Sequence, residues 1–73
     1  MTLHTLFWKG KLYRGYMACN DGNIYHRGEP VPQYLNENGL ECVEIDGEEI
    51  IVHMAIIITF NRKERKSNIY SKK

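Results

Sequence analysis

Gly15-Tyr16-Met17-Ala18-Cys19-Asn20-Asp21-Gly22-Asn23-Ile24-Tyr25 is the stretch that decides the fold. Its centre, Asn20-Asp21-Gly22-Asn23, gathers residues that turn a chain tightly. Asn and Asp side chains bond nearby backbone groups, and Gly supplies positive φ at no steric cost. β-Formers stand on both sides, Tyr16 before the turn and Ile24 and Tyr25 after it. The stretch predicts an antiparallel hairpin, with Tyr16 and Tyr25 flanking the turn as structural residues.

Similar breaks recur in both directions. Lys9-Gly10-Lys11 precedes the central turn; Gly28-Glu29-Pro30-Val31-Pro32, Asn36-Glu37-Asn38-Gly39 and Asp46-Gly47-Glu48 follow it. Between them lie short runs with β-formers: 5–8, 12–19, 24–26, 40–45 and 49–52. The run 40–45 alternates roughly, with Val43 and Ile45 breaking strict phase. The pattern predicts an antiparallel sheet of three to five short strands. After Val52 no breaker interrupts His53-Met54-Ala55-Ile56-Ile57-Ile58-Thr59-Phe60. Met54, Ala55, Ile57 and Ile58 would share one face of a helix, although the β-branched residues also suit a strand. Residues 61–73 lose most apolar character and read as a flexible basic tail.

The chain has 73 residues and is 42% hydrophobic, enough to fold as one small domain. A chain this short buries only about 60% of its unfolded surface, so its core is marginal and a two-domain enzyme is excluded. The formal net charge of +1 conceals a sorted pattern. Residues 1–28 sum to +3, residues 29–60 to −7 with no Lys or Arg, and residues 61–73 to +5. Such a chain can present one sign to a partner while staying nearly neutral. The acidic middle would repel phosphates and so argues for a protein partner over a nucleic acid.

No apolar run is long enough to span a bilayer. The opening residues 1–6 show no cationic start and no long apolar segment, so no secretory leader is expected. Cys19 and Cys42 are then expected to be reduced and buried, in a cytoplasmic setting. Neither belongs to a Cys-x-x-Cys pair, and His53 has no ligand partner at i+3 or i+4, so no metal site is expected. His53 reads instead as a half-buried residue near a helix start.

The hairpin stretch resembles a module of phage and intron-borne HNH homing endonucleases. In that family a Tyr-x-Val-Ser-Asn-x-Gly-x-Val-Tyr-Ser stretch opens a small β-rich DNA-binding piece. Leu35-Asn36-x-Asn38-Gly39-Leu40-x-x-Val43 is similar to its second landmark. Asp46-Gly47 followed by Val52-His53-x-x-x-x-Ile58-x-Phe60 is similar to its third, Gly…Val-His-Arg-Leu-Val-Ala-x-x-Phe, which is helical in the family. The resemblance runs from Gly15 to Phe60 and implies a helix near 52–60. Two features depart from it. Met54 stands where the family has a basic residue, and no His, Asp or Cys follows Phe60 to build the family's metal-binding nuclease motif. The resemblance therefore implies an accessory module without the catalytic half: no enzyme, no metal and no cofactor.

At this length the whole chain also resembles the small RNA-polymerase-binding transcription regulators of lytic phages. That resemblance implies a protein acting in the host bacterial cytoplasm. It would bind host RNA polymerase, inhibit transcription initiation and act as an antiterminator. The alternative is a DNA-binding remnant of the homing endonuclease, using the basic tail and the Arg14–Arg27 region.

The expected fold is α+β: one domain over 1–60, with a helix near 52–60 and the basic tail 61–73 beyond it. Core candidates are Tyr16, Ala18, Ile24, Leu35, Leu40, Val43, Ile45, Ile50, Val52, Ala55, Ile57, Ile58 and Phe60. The candidate partner-binding strip is Phe7, Trp8, Lys9, Lys11, Tyr13 and Arg14, which mixes aromatic and cationic residues outside the family landmarks. Interfaces are enriched in Trp, Tyr and Arg. For Trp8 the competing reading is a packed N-terminal strand. A monomer is expected, and one face of it could supply the roughly 800 Å² per partner of a standard interface.

Overall fold

The computed structural model describes residues 1–71, with side chains as far as residue 62. Seven short strands precede one helix: β1 (Leu3–Trp8), β2 (Lys11–Cys19), β3 (Ile24–His26), β4 (Glu29–Pro30), β5 (Tyr34–Leu35), β6 (Glu41–Ile45), β7 (Glu48–Ile51) and α1 (Val52–Ser71). The α+β class is as expected. The strands divide between two antiparallel sheets, β1-β2-β3-β4 and β5-β6-β7. The third break falls at Arg27-Gly28, inside a β3–β4 hairpin, ahead of the prolines.

Three hairpins close on two residues, Lys9-Gly10, Arg27-Gly28 and Asp46-Gly47, all with φ between 48° and 81°. Positive φ at both central positions is the mirror-image turn whose twist matches the flanking strands. The central Asn20–Asn23 turn is held differently. Its ends are tied by Cys19 N–H donating to Asn23 O at 3.0 Å. Inside it, Asp21 Oδ1 accepts from Asn23 N–H at 2.9 Å and Asp21 Oδ2 from the Tyr25 hydroxyl at 2.6 Å. The Tyr25 bond holds the Asp21 carboxyl below its ordinary value. Its small stabilisation is thus present above the ordinary Asp range and lost as pH falls through the depressed value.

β2 carries the irregularity that shapes the first sheet. Leu6 pairs with Tyr13, but its neighbour Thr5 pairs with Met17, so Arg14, Gly15 and Tyr16 bulge from the ladder with β1. Gly15 sits there at φ 89°. The bulge shifts the inward phase of β2 from Tyr13 to Tyr16 and Ala18, so residues of both parities reach the core. A Cβ at Gly15 would meet only the His26 ring, at 3.9 Å, so the constraint is conformational rather than steric. Gly15→Ala is expected to destabilise the fold by about 1–2 kcal/mol through the left-handed backbone alone, read as a lower urea midpoint at unchanged m-value.

The core joins both sheets to the helix: Leu6, Trp8, Tyr13, Ala18, Ile24, Val43, Ile45, Ile50, Val52 and Ala55 are buried. Tyr16 and Phe60 pack against it, and Tyr16 stacks on His26 at 4.2 Å. Both cysteines are buried and unpaired. Four expected core residues lie outside. Leu35 is 66% exposed on a two-residue edge strand, and Leu40 stands beside the 36–39 turn. Ile57 and Ile58 are exposed because the helix is rotated relative to expectation. Its inward stripe is Val52, Ala55, Ile56, Thr59 and Phe60, at i, i+3, i+4, i+7 and i+8. His53 is exposed rather than half-buried.

Thr59 fixes that rotation. Its hydroxyl accepts from Phe7 N–H at 3.0 Å and donates to Phe7 O at 3.3 Å. β1 is an edge strand, and the helix satisfies its outward backbone groups there. Thr59→Val keeps the shape and removes both bonds. It is expected to cost about 1–3 kcal/mol, since a half-buried N–H is left unmet, measured by equilibrium denaturation. The helix also passes the expected end at 60 and continues to Ser71. No Gly or Pro interrupts 61–71, and Arg62, Lys63, Glu64, Arg65 and Lys66 are good helix formers. Of the expected flexible tail, only residues 72–73 lie outside the described residues.

Candidate functional site

The β1–β2 hairpin has two sides, and its register distributes the candidate strip between them. Leu6 with Tyr13 and Trp8 with Lys11 pair on the inner side; Phe7 pairs with Leu12 on the outer side. Trp8 and Tyr13 are only 4% and 5% exposed. They are core residues, so of the two readings of Trp8 the packed strand describes its position. The neighbouring lysines extend over these rings. Lys9 Nζ lies 5.5 Å from the Trp8 centroid and Lys11 Nζ 4.8 Å from that of Tyr13. Both lysines are exposed, so their stems cover aromatic edges while the charges stay in water.

On the outer side the structure brings together Phe7 and Arg14 and adds two residues that sequence reasoning missed. Leu12 is 42% exposed beside Phe7. Arg62, one helical turn beyond Thr59, lays its guanidinium 4.3 Å from the Phe7 ring centroid. Thr5, Phe7, Leu12, Arg14, Thr59 and Arg62 line a cleft between hairpin and helix. Its floor is partly apolar, and among the described residues its only charged groups are the two arginines. Arg62 became visible only once the helix phase was known, because the Thr59–Phe7 contact places the next turn over this ring.

The acidic residues gather elsewhere. Glu41, Glu44, Glu48 and Glu49 belong to the β5–β7 sheet, and Glu44 stands directly across from Glu49. Like charges so placed repel. Part of that charge is bound: Glu49 accepts from the Tyr34 hydroxyl at 3.1 Å and from Asn36 Nδ2 at 3.3 Å. Burial, then the Glu49 bond, raises the Tyr34 phenol above its ordinary value. Burial, with Glu49 adding, likewise raises the Cys42 thiol above its ordinary value.

Among the described residues, no group of three or more His, Cys, Asp or Glu stands together to hold a metal. No described helix is long and apolar enough to cross a membrane. Comparison with protein-family models, curated proteins and solved structures returns no match.

Proposed function

We propose that this chain is a non-enzymatic phage transcription regulator that binds host bacterial RNA polymerase, inhibits initiation and acts as an antiterminator. The observation that carries a binding role is the separation of charge across the fold. The β1–β2 hairpin carries Lys9, Lys11 and Arg14 with no acid, whereas the β5–β7 sheet carries four glutamates. A cationic face bordered by half-buried apolar groups suits an acidic protein surface, where complementary charge speeds encounter and fixes orientation. The choice of polymerase rests on the sequence resemblance to phage regulators of this size.

Of the candidate strip, Phe7 and Arg14 offer the outer side of the hairpin to a partner, Lys9 its turn and the exposed Lys11 the other side, with Trp8 and Tyr13 supporting them from the core. A chain this small is suited to compete for a surface used by an initiation factor, or to bridge two subunits, rather than to fill the DNA channel. Affinity capture from bacterial lysate tests the reading. Recovery of polymerase subunits is expected. Recovery of duplex DNA alone, released steeply by added salt, would favour the homing-endonuclease remnant instead.

A further inference from the structure

We infer that the cleft between the β1–β2 hairpin and α1 is a carboxylate-binding pocket, formed by Arg14 and Arg62, that takes an acidic side chain of a protein partner. The inference deepens the proposed function and rests on its reading of the chain as a binder of proteins.

Three observations carry it. First, among the described residues the charged groups lining the cleft are two arginines from different elements, with no acid beside them. Such a lining favours a ligand of opposite charge. Second, the Arg62 guanidinium is already placed, its central carbon over the Phe7 ring at 4.3 Å from the centroid. A guanidinium has five N–H donors, and an aromatic ring beneath it does not consume the fork that makes a two-bond contact to a carboxylate. The ring is itself anchored, because the Phe7 backbone is bonded on both its N–H and C=O to Thr59. Ordering cost is thereby reduced before the ligand arrives. Third, Phe7 and the 42%-exposed Leu12 add an apolar surface beside the arginines. That combination fits an acidic residue next to an aliphatic or aromatic one. A bare phosphate backbone would leave the apolar part unused.

The test is an NMR titration of the full chain with the blocked peptide Ac-Leu-Glu-Glu-Leu-NH2, its Gln-Gln counterpart, inorganic phosphate and a short DNA duplex. The acidic peptide is expected to shift the Phe7 and Leu12 amides and the Arg14 and Arg62 side-chain N–H signals. The Gln-Gln peptide should bind about tenfold more weakly, the loss typical of a charge-assisted bond. Arg62→Gln should produce a similar loss while leaving the denaturation midpoint within the range of a surface substitution. Equal response to both peptides, or a stronger response to phosphate or duplex, overturns the inference. Parallel capture assays with purified polymerase separate the two claims. Peptide binding without polymerase capture removes the polymerase reading and leaves the pocket. Capture without peptide binding removes the pocket alone.

Discussion

Trp8→Ala is expected to remove a large share of the chain's folding stability, about 3–5 kcal/mol. Trp8 is 4% exposed and packs in the core shared by both sheets and the helix. Truncating a buried aromatic to Ala costs about 3–5 kcal/mol. A chain of this length has about 4–11 kcal/mol in total, so one side chain accounts for a large share of it. Trp8→Phe separates packing from polarity. The indole Nε1 is buried with no hydrogen-bond partner, so Phe removes a donor whose lost hydration nothing offsets. The Phe variant is therefore expected to lose much less than the Ala variant. Urea unfolding followed by circular dichroism measures both; equal losses would mean that volume at this site is not what matters.

Simultaneous Lys9→Glu, Lys11→Glu and Arg14→Glu is expected to abolish capture of host RNA polymerase while the fold persists. All three side chains are exposed, so reversal changes the hairpin's charge from +3 to −3 without emptying the core. The structural cost is confined to the ammonium contacts over Trp8 and Tyr13, about 0.5–1 kcal/mol each at exposed sites. The effect on an acidic partner is far larger, since three attractions become three repulsions. Replacing Glu44, Glu48 and Glu49 by Gln serves as the control. It alters as many charged residues on the other sheet, by half the total charge, and is expected to leave capture intact.

Much of the architecture was legible before the structure. Asn20–Asn23 and Asp46-Gly47 marked turns because their side chains and positive φ angles have local causes, and local causes can be read from neighbours. The helix near 52–60 was foreseen, but its rotation was not. In Ile56-Ile57-Ile58 every position is apolar, so no polar residue sets the phase. The deciding contact is Thr59 to Phe7, 52 positions apart in the chain. The bulge at Gly15 had the same effect on β2, shifting the inward phase between Tyr13 and Tyr16 where simple alternation has one side only. The candidate strip was half legible for that reason. Its charges were on the page, but which aromatics face inward depended on hairpin register, and Arg62 depended on the helix phase.

The two isoleucines left outside, Ile57 and Ile58, show how the fold resolves that ambiguity. Small Ala55 is fully buried in the core, and hydroxyl-bearing Thr59 faces the edge strand and completes its hydrogen bonds. Ile57 and Ile58 are displaced outward despite their greater hydrophobicity, while Ile56 and Phe60 keep the inward stripe. Local burial preference thus yields to backbone satisfaction at a sheet edge.

The most direct test of the central claim is equilibrium binding of the purified chain to purified host RNA polymerase, in the presence of excess competitor duplex DNA. The account expects saturable binding that the competitor does not displace and that the Lys9, Lys11 and Arg14 reversal removes. Binding that the duplex displaces, or no binding to the polymerase at all, would contradict it.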